Sequence, residues 1–196
     1  MKGTFVAANR ARKRTKATRG SPGPGAAAAE REDAGPKKPA RFPIVGLGAS
    51  AGGLEALEEF FRKVPADSGM AFVVVQHLDP NHASILTEIL QRATPMAVVE
   101  AEDQMVVAPD RVHVIPPNRD LAIFHGALQL SVPDQPRSHR LPIDSFLRSL
   151  ADDLGEQAIG VILSGTGTDG TLGLRAILGG GGLAFVQEPT TAKYDG

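Results

Sequence analysis

The sequence predicts an α/β fold in which a mostly parallel, doubly wound sheet carries helices on both faces. Two observations indicate it. Apolar runs of strand length alternate with helical stretches from Phe42 onward, and several of these runs are apolar throughout. Continuous apolar runs are typical of parallel strands that are buried on both faces. Their alternation with helices indicates strand–helix–strand crossovers.

The predicted elements follow one another along the chain. The strand runs are FPIVGLGA, MAFVVVQ, AIGVILSG and GLAFVQ, and the helical stretches are LEALEEFFRKV, ASILTEILQRA, PIDSFLRSLADDL and DGTLGLRAIL. In the helical stretches, apolar residues recur at the spacing of one helix face. Between residues 96 and 131, short apolar runs are separated by turn residues. This pattern predicts antiparallel hairpins inserted into the parallel fold.

The composition narrows the class of protein. Hydrophobic residues make up 42% and charged residues 22% of the chain, as in ordinary globular proteins. There is no cysteine, which excludes disulfides, thiolate metal sites and a cysteine nucleophile. The histidines show no metal-ligand spacing, so we predict neither a metal nor a cofactor. No apolar run reaches the ~18 residues of a membrane span and no signal peptide is visible, so a cytoplasmic protein is predicted.

Residues 1–41 differ in composition from the rest. They hold eleven lysines or arginines against three acids, a net charge of +8, whereas residues 42–196 carry −9. With few large apolar groups, this segment is predicted to be a disordered basic tail. Its basic cluster has no interleaved aromatics, so no specific nucleic-acid binding is predicted. The domain is predicted over 42–196, and the lack of a helix after the last strand predicts truncation at its C-terminal end.

The glycine-rich stretch GLGASAGG, residues 46–53, lies between a predicted strand and a predicted helix. The pattern G-x-G-x-x-A from Gly46 matches a dinucleotide-binding turn, in which backbone N–H groups approach a pyrophosphate. The pattern G-x-S-x-G around Ser50 matches a nucleophile elbow beside oxyanion donors. A turn in which Ser50 merely caps the helix is the third interpretation. This stretch alone does not choose among them.

Two further strand ends favour the nucleophile. His77 follows the next buried strand, where a dinucleotide site would need an acid, and histidine suits a general base. Asp169 lies in SGTGTDG after a later strand and can orient an imidazole, although it can also simply cap the following helix. Carboxyl ends of neighbouring parallel strands converge on one crevice. The order Ser, His, Asp disfavours an ordinary α/β-hydrolase.

A series of sequence blocks resembles the CheB-type catalytic domain of chemotaxis protein-glutamate methylesterases. The resemblance extends from Phe42 to Gly196. The blocks, in family order, are IVGLGASAGG, VVQHLDP, VEAEDQ, VHVIPPNRDL, HRLPID, GVILSGTGTDGTLGLRAI and AKYDG. The residues of these blocks are most similar to the family variant found at the front of fusions with a receptor methyltransferase and sensory modules.

The resemblance implies roles for individual residues. Ser50 corresponds to the nucleophile, His77 to the base and Asp169 to the orienting acid of a catalytic triad. Ala51 stands where the family often has threonine, and it is expected in the oxyanion and substrate-binding part of the site. Thr166 stands where it has methionine, at a position implied to lend a backbone N–H to the oxyanion hole.

Other implications concern substrate and partners. Arg140 matches a loop near the family's cleft and is expected to help place an acidic receptor segment. The implied substrates are glutamyl γ-methyl esters, and also glutamines, in the cytoplasmic domains of methyl-accepting chemoreceptors. A receptor methyltransferase or a sensory kinase is a further implied partner. The family's usual receiver domain has no counterpart in the tail. The alternatives are a nucleotide-binding module and a catalytically silent docking domain of a sensory signalling protein.

Overall fold

Eight β-strands and four α-helices make up the part of the chain that the structure, a computed structural model, describes: residues 42–50, 52–76, 83–134, 136, 140–165 and 167–193. The strands are β1 (Ile44–Ala49), β2 (Ala71–Gln76), β3 (Ala97–Glu100), β4 (Arg111–Val114), β5 (Asp120–Phe124), β6 (Ala127–Ser131), β7 (Ala158–Ile162) and β8 (Leu183–Val186). The helices are α1 (Gly53–Lys63), α2 (Ala83–Ala93), α3 (Pro142–Leu154) and α4 (Thr171–Gly179).

Six strands form one sheet in the order β3-β4-β2-β1-β7-β8, and every neighbouring pair is parallel. The central strand β1 is buried along its whole length, as is β2 except at its last residue. Burial on both faces explains why these runs are apolar throughout rather than alternating. The predicted doubly wound α/β fold is therefore confirmed.

Helices cover both faces of the sheet. One core cluster joins α1 and α2 to the sheet through residues such as Val45, Leu57 and Leu90. The other joins α3 and α4 to the opposite face, through residues such as Ile44 and Phe146. Adjacent strand residues such as Ile44 and Val45 therefore serve different cores, because successive side chains point to opposite faces.

The prediction of antiparallel hairpins between residues 96 and 131 is correct only for its second half. Strands β5 and β6 form a separate antiparallel pair. By contrast, β3 and β4 are parallel to one another and extend the main sheet. A left-handed turn, with Asp110 at φ 55°, precedes β4, and Asp110 N–H donates to Met70 O at 2.8 Å. This long-range bond helps to set the start of β4 beside β2, a contact that short runs with turns between them do not reveal.

Glycines let α3 approach β1 closely. A β-carbon placed on Gly48 would lie 2.4 Å from Cγ2 of Ile143, and one on Gly46 would lie 2.7 Å from Cδ2 of Leu147. Real β-carbons do not approach so closely, so a larger residue would force these side chains or the helix itself to shift. The two glycines of β1 therefore determine the distance between α3 and the sheet.

His113 on β4 is the one fully buried histidine of the described residues. Its Nδ1 lies 3.2 Å from the carbonyl oxygen of Phe72, which can only accept, so Nδ1 carries the proton. Its Nε2 is buried and has no hydrogen-bond partner among the described residues. Burial lowers the pKa of His113, the Phe72 hydrogen bond raises it, and the nearby Arg111 lowers it, with a net downward shift.

The predicted basic tail, residues 1–41, lies outside the described residues, so the predicted domain boundary stays a prediction. In the described part of the chain, no helix has the length and apolar character needed to cross a membrane.

Replacing Gly48 by alanine should lower the free energy of unfolding by about 1–3 kcal/mol, because the added methyl group meets Ile143. Gly179 at the end of α4 is a matched control, since a β-carbon there meets nothing within 4 Å. Gly179→Ala should be neutral or stabilising by up to about 1 kcal/mol. Urea unfolding measures both. Equal effects of the two substitutions would contradict the packing argument.

The depressed pKa of His113 predicts a pH-dependent stability. Between the folded-state pKa and the unfolded value of ~6.5, the unfolded chain binds more protons, so the free energy of unfolding falls as pH drops through this window. His113→Leu should reduce the slope of the free energy of unfolding against pH by up to about 1.4 kcal/mol per pH unit. Urea unfolding between pH 7.5 and 5.5 measures it. Identical slopes in the two proteins would show that His113 is not responsible.

Candidate active site

The carboxyl ends of β1 and β7 meet at one edge of the sheet. Ser50 N–H donates to Ser164 O at 3.1 Å, and Leu163 N–H donates to Gly48 O at 2.9 Å. A β-carbon on Gly165 would lie 2.9 Å from Cβ of Ser50, so glycine is needed for this approach. The loop that follows β7 is thus held directly against Ser50.

A cleft of ≈ 890 Å³ opens at this edge. Ser50, Asp169 and Arg140, three of the predicted site residues, all line it. The other three, His77, Ala51 and Thr166, lie outside the described residues. The structure therefore brings together the predicted nucleophile, the predicted orienting acid and the predicted substrate-binding arginine.

The register between β1 and β2 bears on the predicted base. Ala49 is paired with Gln76, the last residue of β2, so the two strands end level with one another. Ser50 follows Ala49 directly, and His77 follows Gln76 in the sequence. The sequence analysis expected the carboxyl ends of neighbouring parallel strands to lie at one edge of the sheet. For β1 and β2 this holds up to their last paired residues, Ala49 and Gln76.

Ser50 begins the tight turn between β1 and α1. Gly52 occupies the N-cap position of α1 with the left-handed φ of 72°, so the helix-cap interpretation of Ser50 is wrong. The left-handed backbone conformation in this turn is held by Gly52, a residue without a side chain to oppose it. A β-carbon on Gly53 would lie 2.5 Å from Cβ of Ala49, which makes the turn compact.

The dinucleotide interpretation does not fit the turn. Gly46 and Gly48 lie inside β1, where their missing side chains make room for Leu147 and Ile143 of α3. In a dinucleotide site, these glycines would belong to the turn and allow the backbone to approach a pyrophosphate. Here they are explained by packing between the strand and the helix.

Asp169 is bound by the backbone of α3, which lies 25 residues earlier in the sequence. Its Oδ2 accepts from Ile143 N–H at 3.1 Å, and its Oδ1 accepts from Asp144 N–H at 2.8 Å. Asp169 thus caps α3, whereas the N-cap residue of the following helix α4 is Gly170, with no side-chain cap hydrogen bond. The N-cap residue of α3 is Leu141, which has no polar side chain to do so.

Asp144 returns the interaction. It lies in the first turn of α3 and is 4% exposed. Its Oδ1 accepts from Gly170 N–H at 3.0 Å and from Gly173 N–H at 2.7 Å at the start of α4. The sequence analysis did not identify Asp144 as a site residue. The signal that could have found it is an acidic residue in the first turn of a helix that has no polar N-cap residue of its own.

A second missed residue closes the cleft from β8. Gln187 follows β8 and lines the cleft. Its Oε1 accepts from Ser164 N–H at 2.8 Å, and its own N–H donates to Ile162 O at 2.9 Å. Gln187 therefore fixes Ser164, whose carbonyl receives the Ser50 N–H. Its position at a strand end was the signal in the sequence.

The described lining of the cleft carries more positive than negative charge. Of the described residues that line it, the ionisable ones are Arg140, Arg175 and Asp169. Arg140 Nη1 donates to Oδ1 of Asn118 at 3.0 Å, and Asn118 adopts a left-handed backbone conformation with φ 51°. Asn118 thereby orients Arg140 at the rim, and the arrangement suits an acidic ligand.

Within the described ranges there is no group of three or more histidine, cysteine, aspartate or glutamate side chains arranged to hold a metal ion. The described cleft offers a serine hydroxyl and a carboxylate held by two backbone N–H groups. Acyl transfer by a serine uses such groups together with a general base.

Comparison with known proteins gives a consistent result. The family model for CheB methylesterase matches residues 45–196. Among solved structures, the Thermotoga maritima CheB methylesterase catalytic domain is similar with a TM-score of 0.74 and 28% identity, over 80% of this chain and 85% of that chain.

Two curated relatives differ in how much of their length the chain spans. A putative protein-glutamate methylesterase/protein-glutamine glutaminase of Leptospira interrogans is 31% identical over 153 residues, which are 78% of this chain and 79% of that protein. An uncharacterized 104.1 kDa protein of Rhodobacter capsulatus is 42% identical over 111 residues, which are 57% of this chain and 12% of that protein.

Proposed function

The chain belongs to the CheB methylesterase family, and from this membership we propose that it hydrolyses glutamyl γ-methyl esters on the cytoplasmic helical bundles of chemoreceptors. The observation that carries the proposal is the cleft in which Ser50 and Asp169 come together at the carboxyl ends of β1 and β7. The reaction releases methanol and restores the glutamate carboxylate. It takes place in the cytoplasm, in chemotaxis-type signalling.

The proposed mechanism uses Ser50 as nucleophile, His77 as general base and Asp169 as orienting acid. Ser50 Oγ attacks the ester carbonyl while His77 accepts its proton, and His77 then donates that proton to the departing methanol. Water attacks the acyl-enzyme with His77 again accepting a proton. The glutamate leaves and Ser50 recovers its hydroxyl proton. The mechanism needs no cofactor.

The hydrogen bonds of Asp169 support its assignment as the orienting acid. Two backbone N–H groups of α3 fix both carboxylate oxygens and stabilise the negative charge at the positive end of the helix dipole. Each oxygen retains a second lone pair, so the carboxylate can also accept an imidazole N–H. An acid held in this way orients a base without having to rearrange during the reaction.

The proposed oxyanion hole consists of backbone N–H groups at Ala51 and Thr166. Support comes from their neighbours: Ser50 directly precedes Ala51 at the turn into α1, and Gly165 packs against Ser50. A helix N-terminus offers free N–H groups and a positive dipole end, both of which stabilise a developing oxyanion. The side chains at these two positions are not needed for this role.

Arg140 is the proposed contact for the acidic receptor segment around the ester. With Arg175 it gives the described cleft lining two cations against the single carboxylate of Asp169. The hydrogen bond to Asn118 holds the guanidinium at the rim, where it can pair with a substrate carboxylate.

The wider assembly is also a proposal. Deamidation of receptor glutamines is a second proposed activity, because an amide passes through the same tetrahedral intermediate as an ester. A receptor methyltransferase or a sensory kinase is the proposed signalling partner. The match to 12% of a 104.1 kDa protein supports the proposal that this domain type occurs as part of larger proteins.

Replacing Ser50 by alanine should lower methanol release from a γ-methyl-glutamyl receptor peptide by about 10⁴–10⁶-fold and leave folding intact. The same substitution should abolish the single adduct formed with a fluorophosphonate probe, measured by intact mass. Ser131→Ala, at an exposed serine that ends β6, is the control and should keep the adduct. A folded wild-type chain without an adduct would contradict the proposal and favour the silent docking domain.

Replacing Arg140 by glutamine should raise KM for an acidic receptor peptide about three- to fivefold, with kcat within twofold, because a rim charge contributes mainly to substrate attraction. The salt dependence of kcat/KM should also become weaker. Arg92→Gln on the exposed end of α2 is the matched control and should change neither. Unchanged KM and salt dependence in Arg140→Gln would remove Arg140 from the substrate site.

A further inference from the structure

Asp144 holds the predicted catalytic acid from two sides. Its backbone N–H donates to Oδ1 of Asp169 at 2.8 Å, and its side-chain Oδ1 accepts from Gly170 N–H at 3.0 Å. Gly170 N belongs to the peptide that directly follows Asp169. The two hydrogen bonds therefore close a ring that fixes both the side chain and the backbone of Asp169 relative to one residue of α3.

Burial and distance make this contact strong. Asp144 is 4% exposed, and its Oδ1 also accepts from Gly173 N–H at 2.7 Å. Hydrogen bonds to an ionised acceptor that is shielded from water are stronger than those between neutral groups. The first turn of α4 cannot shift relative to α3 without breaking two of them.

The sequence of α4 makes it depend on this contact. Its N-cap is Gly170, which has no side chain with which to satisfy the first N–H groups of the helix. Gly170 has φ 102°, and a β-carbon on Gly173 would lie 3.3 Å from Cα of Asp144 and 2.6 Å from Cβ of Leu147. Glycine at both positions brings the backbone of α4 within reach of the Asp144 carboxylate.

We propose that Asp144 is a positioning residue for catalysis, which sets the place and orientation of Asp169 in the cleft. The proposal rests on the proposed esterase function and adds a residue that acts through Asp169 rather than on the substrate. Misplacing a catalytic group by about 1 Å can cost about 100-fold in rate. The effect should fall on kcat, because Asp144 is buried and does not face the substrate.

The test compares three variants of the full chain in hydrolysis of a γ-methyl-glutamyl receptor peptide. Asp144→Ala should lower kcat about 10- to 100-fold with KM within twofold. Asp144→Asn, which keeps the Oδ1 acceptor, should recover most of the lost kcat. Asp144→Ser, whose shorter side-chain hydroxyl can accept one of the two hydrogen bonds, should have a kcat between those of the alanine and asparagine variants. It replaces Asp144→Ala in the comparison if the alanine variant does not fold.

Asp153 supplies the matched control. It lies near the other end of α3, and its two carboxylate oxygens accept from the backbone N–H groups of His125 and Gly126 in the β5–β6 turn. Asp153→Ala also removes an α3 carboxylate that binds two backbone donors, but away from the cleft. It should lower the urea midpoint and leave kcat unchanged.

The proposal is overturned if Asp144→Ala or Asp144→Ser keeps wild-type kcat, if Asp153→Ala loses as much kcat as Asp144→Ala, or if Asp144→Asn recovers nothing.

Hydrogen exchange at the Gly170 and Ile143 amides gives a readout that does not require activity. It should accelerate in Asp144→Ala and not in Asp153→Ala. If the wild-type chain neither hydrolyses the ester nor binds the probe while this pattern is seen, the esterase proposal fails and the positioning of Asp169 stands. Unchanged exchange refutes the positioning itself.

Discussion

The exchange of hydrogen bonds between α3 and α4 is the constraint on which the cleft depends. Neither helix begins with a residue whose side chain can cap it, since Leu141 and Gly170 hold the N-cap positions. Asp169 satisfies the first donors of α3, and Asp144 satisfies those of α4. Asp169, which lies just before α4, thus caps α3, and Asp144, which lies in α3, caps α4. Asp169, the proposed orienting acid, is therefore also a structural residue, and its position is set by helix packing.

That exchange requires α3 to lie in one place, which the glycines of β1 determine. Gly46 and Gly48 bring α3 onto the strand, and Gly173 brings α4 onto α3. Because Ser50 directly follows β1, the proposed nucleophile and the proposed orienting acid Asp169 are both positioned relative to that strand. A single close-packed group of β1, α3 and α4 thus sets the geometry of the cleft, and substitutions at its glycines should act on both stability and site geometry.

Sequence reasoning predicted the elements well and their neighbours less well. Strands β1, β2 and β7 were predicted because burial on both faces leaves a continuous apolar run, a property of neighbouring residues alone. Strands β3 and β4 were assigned to hairpins, because short runs with turns between them look the same in a hairpin and in a parallel sheet edge. The sequence also left open why Gly46 is glycine, since α3 lies about a hundred residues further along the chain.

By itself, the sequence determined the alternation of strands and helices, and it placed Ser50, His77 and Asp169 after buried strands. These features depend on local periodicity and turn chemistry, which adjacent residues encode. Only the tertiary structure decided that Asp169 caps α3 and that Asp144 caps α4. A carboxylate at a turn can bind any nearby N–H group, so its partner is known only once packing has chosen which helix lies beside it.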